Sequence, residues 1–118
     1  MKSNTGITSD EWASTLSHCF TSDNVSLRLK AAEDAVDCRS KKVAKVLERQ
    51  LRQEDSALVR ASIVWSLSIV AQEVSLPGIV RTLDDDNWRV RATALRSLAK
   101  FCTSPDVIVH ALGRVLDP

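Results

Sequence analysis

At 118 residues, with sixteen basic and fifteen acidic side chains and a net charge of +1, the chain is sized for one domain and lacks the basic excess of a dedicated phosphate-backbone binder. It is 44% hydrophobic and 26% charged, a globular rather than disordered balance, and three Gly and three Pro leave little room for turn-rich β structure. Cys19, Cys38 and Cys102 form neither an even set nor a CxxC, which excludes a disulfide framework and the usual zinc spacings and points to reduced thiols in the cytoplasm.

In chain order, residues 1–7 are expected to form a flexible lead, and residues 8–118 a single helical domain. The polar start MKSNTGITSDEW has no apolar stretch, so it is not a signal peptide. Thr8 and Glu11 have capping-box spacing and open a helix over 8–21, whose stripe is Trp12, Leu16 and Phe20 with Ala13 and Cys19 beside it. Asp23 or Asn24 caps a second helix over 25–38, expected to bury Leu27, Ala31, Ala35 and Cys38 with Leu29 and Ala32 flanking. A third helix over 41–53 carries Val43, Val46, Leu47 and Leu51 opposite a solvated face of Lys41, Lys42, Lys45, Glu48, Arg49 and Arg52.

The fourth helix, 56–71, is unusually apolar: Val59, Ile63, Val64, Leu67, Val70 and Ala71, with Trp65 and Ile69 besides. A fifth, 76–84, tolerates Pro77 in its first turn and offers Leu76, Ile79, Val80 and Leu83 to the core. The acidic turn Asp84-Asp85-Asp86-Asn87 leads into a sixth helix, 88–102, burying Val90, Ala94, Leu95, Leu98, Phe101 and Cys102. Ser104-Pro105 starts a seventh, 105–116, with Val107, Ile108, Ala111, Leu112, Val115 and Leu116. No apolar run approaches the ~18 residues that span a bilayer, so no membrane segment is expected.

A repeat underlies these helices. Asp55-Ser56-Ala57-Leu58-Val59-Arg60-Ala61 returns 31 residues later as Asp86-Asn87-Trp88-Arg89-Val90-Arg91-Ala92, and a weaker copy, Asp23 to Leu29, lies 32 residues upstream. The turns are short, so neighbouring helices run antiparallel. A compact bundle is open to such a chain, but the in-register repeat favours an all-α solenoid of three helix pairs and a terminal half-repeat. The chain stops at Asp117-Pro118, where another acidic turn would start, so a longer array and pairing through that end both stay open.

The step Val59-Arg60-Ala61 and the stretch from Leu83 to Leu98 resemble HEAT repeats, most closely the short, roughly 30-residue units of bilin lyase-like proteins. The resemblance implies a right-handed solenoid whose second helices line a concave surface. It also implies a ladder between repeats, with Arg28, Arg60 and Arg91 as its arginines and Glu54 and Asp85 as its turn acids. Ser22 stands at the acid position of the first pair.

Aligning the repeats places Arg89, Thr93, Arg96 and Lys100 on the sixth helix beside Leu58, Ser62, Trp65 and Ile69 on the fourth and Ser26, Lys30, Glu33 and Asp37 on the second. The resulting face is acidic to mixed at one edge, apolar in the centre and basic at the other. Trp65 stands where its sister repeats have Glu33 and Arg96. Trp and Arg are favoured interface anchors, so Leu58, Trp65, Ile69, Arg89, Arg96, Lys100, Lys30 and Glu33 are the candidate partner-binding residues. The competing role for Trp65 is plain packing in a helix buried nearly all round.

Other chemistry has little support. His18 and His110 lie on the first and last helices of a linear stack, which removes His-paired nucleophile and metal schemes. There is no P-loop, GxGxxG or GxSxG. The run Asp84–Asp86 lacks the glycine and distant bidentate Glu of a calcium loop, and acids at a helix start suit the helix dipole. The expectation is a non-catalytic module that binds a protein on its concave face and needs no cofactor. A homodimer formed through a solenoid end is the first alternative. The resemblance adds a bilin lyase-like accessory role, and Arg89, Arg96 and Lys100 allow weak nucleic-acid binding.

Overall fold

A computed structural model describes residues 6–70, 76–100, 109 and 113. Six helices are defined among them, and no strand. Helix α1, Ser9–Cys19, opens with a reciprocal capping box: Glu11 N–H donates to Thr8 Oγ1 at 3.1 Å, and Thr8 N–H donates back to the Glu11 carboxylate at 3.3 Å. It turns Leu16 and the following Phe20 into the core, with Trp12, Ala13 and Cys19 packed partly against them.

Helix α2, Val25–Asp34, is capped by Asn24, whose Oδ1 accepts from Ser26 N–H at 2.8 Å. It is shorter than the periodicity predicts, because the chain tightens into a 3₁₀ turn over Ala35–Asp37. That turn carries Cys38 inward and leaves Ser40 free to cap the next helix through Val43 N–H. Helix α3, Lys41–Gln53, has the predicted bounds and stripe. It buries Gln50 as well.

Helix α4, Ala57–Val70, is central: it packs against α2, α3 and α6. Its core side chains Val59, Ile63, Val64 and Leu67 are fully buried. Ser66 fixes it to α2 by donating from Oγ to the Ala32 carbonyl at 2.6 Å. Helix α5, Leu76–Arg81, continues into a 3₁₀ turn over Thr82–Asp84 and buries Ile79 and Leu83. Helix α6, Trp88–Leu98, is capped by Asn87 and buries Val90, Ala94 and Leu98, with Leu95 packed partly against the core.

The helices lie in two rows. Helix α1 packs on α3 in one row, and α2, α4 and α6 pack successively in the other; α1–α2, α3–α4 and α5–α6 are the pairs. Helix α5 passes beside α3 at Gly78, where a Cβ would stand in ordinary van der Waals contact with Glu48 Cγ at 3.8 Å. The core runs between the rows. The result is an all-α solenoid built from helix pairs.

Two apolar assignments differ from expectation. Leu27 is 55% exposed, while Arg28 beside it is buried. The inward face of α2 is the stripe Arg28, Ala31, Ala32 and Ala35, and one residue of helix is a 100° turn away from it. Val80 is likewise exposed, one position past the buried Ile79. The predicted burial of Ala71, Leu76, Phe101 and Cys102 falls outside what is described, as does the seventh helix apart from Val109 and Gly113, both helical and exposed. No described helix is long and apolar enough to cross a membrane.

Candidate functional site

The arginines of the repeat are used between pairs. Arg28 Nε and Nη2 donate to both oxygens of Glu54 at 2.9–3.3 Å, Nη2 also reaches Asp55, and Nη1 donates to the Ser22 carbonyl at 2.8 Å. Burial pushes the Glu54 carboxyl up, but hydrogen bonds from Arg28, Gln50 and Ser56 N–H outweigh it and hold the group below its ordinary value. The Glu54 bond raises the Arg28 guanidinium further, against the effect of burial.

One repeat on, Arg60 Nε and Nη2 donate to Asp85 at 2.9 and 3.0 Å, Nη2 reaches Asp86, and Nη1 donates to the carbonyls of Glu54 and Asp55. Asp85 also accepts from Asn87 N–H at 2.9 Å. Burial again pushes this carboxyl up, and Arg60 and the Asn87 amide pull it below its usual range. The third arginine differs: Arg91 Nη1 donates to the Asp85 carbonyl at 2.8 Å, and its buried Nε has no hydrogen-bond partner among the described residues. Gln50 is a member of this network that sequence reading missed. Glu54 is the extended residue that closes α3, so helical spacing alone does not bring Gln50 to it. Its Nε2 donates to Glu54 at 2.8 Å.

The acidic turn therefore spends Asp85 and Asp86 on Arg60. Among the described residues no group of three His, Cys, Asp or Glu side chains is placed to hold a metal ion.

On the outer face of α2, α4 and α6 lies a shallow groove of about 370 Å³, lined by Leu29, Glu33, Leu58, Ala61, Ser62, Trp65, Thr93 and Arg96. Leu58 is 57% and Trp65 39% exposed. Large apolar side chains at these positions are held out of the core because α4 turns Val59, Ile63 and Leu67 inward instead. The Lys100 ammonium sits 3.6 Å from the centroid of the Trp65 ring and donates to Ser68 Oγ at 3.3 Å, while the Arg96 guanidinium lies 6.0 Å from the same ring. Glu33 forms the opposite, acidic side.

The structure thus brings together Glu33, Leu58, Trp65, Arg96 and Lys100 from the candidate set. The other three lie elsewhere. Lys30 pairs with Asp34 at 3.1 Å and lines a separate hollow near the end of α1. On α2 the groove-facing residues are Leu29 and Glu33, one helical turn apart, and Lys30 is 100° round from that row. Arg89 lies over the ring of Trp88, 5.4 Å from its centroid, at the start of α6. Ile69 is half-buried and does not line the groove. Leu29 and Ala61 replace them as groove floor. Trp88 itself is 61% exposed.

Comparison with known proteins gives one positive result. The family model for HEAT repeats matches residues 13–99, a span running from α1 to the end of α6. No curated protein and no solved structure matches the chain. HEAT repeats generally mediate protein–protein interactions and are generally non-catalytic. The matched span, the recurring Val-Arg-Ala step and the paired helices agree, and the chain belongs to the HEAT-repeat family.

Proposed function

We propose that this protein is a non-catalytic interaction module that docks a segment of another protein in the groove between Glu33 and Arg96. The observation that carries the reading is the exposed pair Leu58 and Trp65, set on α4 between an acidic and a basic wall. Desolvating these two side chains drives binding, and the opposed charges fix the direction in which the segment lies. A segment with an apolar anchor over Trp65, an acidic residue toward Arg96 and Lys100, and a basic residue toward Glu33 satisfies all three features. The free thiols Cys19 and Cys38 support a reducing, cytoplasmic setting.

The test is a comparison of proteins co-purified with the wild type and with a Leu58→Glu, Trp65→Ala variant. Helix content and melting temperature are measured in parallel. The expected outcome is a partner retained by the wild type and lost by a variant that stays folded. An identical set of partners on both proteins would remove the groove as the docking site. Trp65→Ala alone is expected to cost ~1–2 kcal/mol of stability, since the ring is partly solvated; a loss above ~3 kcal/mol would make it a core residue.

A further inference from the structure

Helix α4 lines the groove with four residues at the spacing i, i+3, i+4 and i+7: Leu58, Ala61, Ser62 and Trp65. On a helix surface these positions form a diamond, the hole that receives one side chain from a facing helix. Leu58 and Trp65 stand exposed at its ends, about 10.5 Å apart along the axis. Ala61 and Ser62 are small and make the hollow between them. The equivalent positions of α6 are Arg89, Ala92, Thr93 and Arg96, with a charge at either end. Those of α2 are Ser26, Leu29, Lys30 and Glu33, with the bulk in the middle. Of these three copies, α4 alone has apolar ends and a small centre. Its two flanks carry opposite charge. Glu33 on the α2 side and Arg96 and Lys100 on the α6 side are exposed, and none of them is in an ion pair among the described residues.

We propose that the occupant of this groove is an α-helix of the partner protein. It sets one large apolar side chain into the hole between Leu58 and Trp65, and it carries acidic residues on one flank and basic residues on the other. The inference rests on the docking role given above and specifies the form of what docks. A helix suits the groove for a second reason. The walls are themselves α-helices, whose main-chain groups are bonded internally, and the lining residues include no Asn or Gln able to bond a peptide backbone. An extended segment would leave its own N–H and C=O groups without protein partners there, whereas a helix arrives with them satisfied. Because α4 packs between α2 and α6, a helix lying along it turns one flank to Glu33 and the other to Arg96 and Lys100. The placement of charge on its flanks then decides which way it runs.

Two libraries of short displayed peptides test this, one in an alanine-rich helical frame and one with regularly spaced prolines that prevent a helix. Each is selected on the wild type and counter-selected on the Leu58→Glu, Trp65→Ala variant. Binders are expected from the helical frame, with one Leu, Met or Phe between an acidic and a basic flank. Ser62→Leu, which fills the hollow, should weaken the synthesised peptides at least tenfold. The helix content of the protein should be unchanged, because Ser62 is half-buried at the open groove. Glu33→Lys makes both walls basic and should weaken them about fivefold at low salt and less at high salt. Binders that depend on Leu58 and Trp65 but come equally or mainly from the proline frame overturn the helical occupant and leave the groove as a docking site. Helical binders indifferent to Ser62→Leu do the same. If neither frame yields a binder that depends on Leu58 and Trp65, the docking role falls together with the inference.

Discussion

Arg28 and Arg60 hold the same place in successive repeats, yet their settings differ. Arg28 is 10% exposed and its acid, Glu54, is sealed at 0%, with Gln50 and the Ser56 amide completing the shell. Arg60 is 14% exposed and Asp85 12%, and each arginine has a second, exposed acid at the open edge, Asp55 for Arg28 and Asp86 for Arg60. The longer Glu reaches back beneath the turn, where Gln50 on α3 can meet it. The shorter Asp stays at the rim. One motif thus gives a closed rung and an open one. The closed rung adds little net stability over an apolar substitute of the same shape, but costs more when half of it is removed.

Breaking the closed rung should have the largest effect. Glu54→Gln removes the buried, doubly bonded acid and leaves the Arg28 guanidinium only the exposed Asp55 at 3.3 Å, and urea denaturation is expected to show a loss of ~3 kcal/mol. Replacing both partners, as Arg28→Met with Glu54→Leu, should recover much of that loss. A loss below ~1 kcal/mol for Glu54→Gln would mean that water reaches the rung, and the contrast with Asp85 would disappear. Asp85→Asn should cost less, ~1–2 kcal/mol, because Asp85 is itself partly open to solvent whereas Glu54 is sealed.

The two acids also give the fold a pH dependence with a defined sign. Both carboxyls are held below their ordinary values of 4.5 for Glu54 and 3.8 for Asp85. A carboxyl with a lowered folded-state pKa adds stability that is complete above its unfolded pKa and is lost as pH falls through the folded one. Stability should therefore hold from neutrality down to about pH 5 and decline below it. Glu54→Gln and Asp85→Asn should each flatten that decline. Parallel acid-denaturation curves for the wild type and Glu54→Gln would show that Glu54 titrates normally in the fold.

How far the sequence goes toward this picture depends on the level of the question. Caps are local, so Thr8 and Asn24 were both readable, and α3 has the bounds its stripe predicts. Equivalences between repeats were readable too, because a 31-residue offset puts Arg60 and Arg91 in register without any coordinates. What failed is which neighbour covers each position. Leu27 looks like core because leucine usually is, but the rotation of α2 turns Arg28, Ala31, Ala32 and Ala35 inward instead. The resemblance makes Arg28 a ladder arginine, but how deeply it sits follows from the depth of Glu54, which no repeat pattern gives. The groove was half legible: Trp65 stood out by residue type, but the α2 wall needed the actual rotation of the helix to select Leu29 and Glu33 over Lys30.

The series of cations ends at the surface, where the smallest effect is expected. Lys100 is exposed, and its ammonium rests on the Trp65 ring and Ser68 Oγ rather than on an acid. A cation on an exposed aromatic face contributes ~0.5–1 kcal/mol. Lys100→Gln should therefore lower stability by about that amount, and the same change in a Trp65→Ala background should cost almost nothing. The coupling is measured by a double-mutant cycle at low and high salt. Because the contact is open to solvent, added salt should shrink it, whereas the Arg28–Glu54 coupling should hardly respond. A Lys100 coupling as large and as salt-insensitive as that of Arg28 would place Trp65 and its cation in the interior, and the groove would then be part of the core.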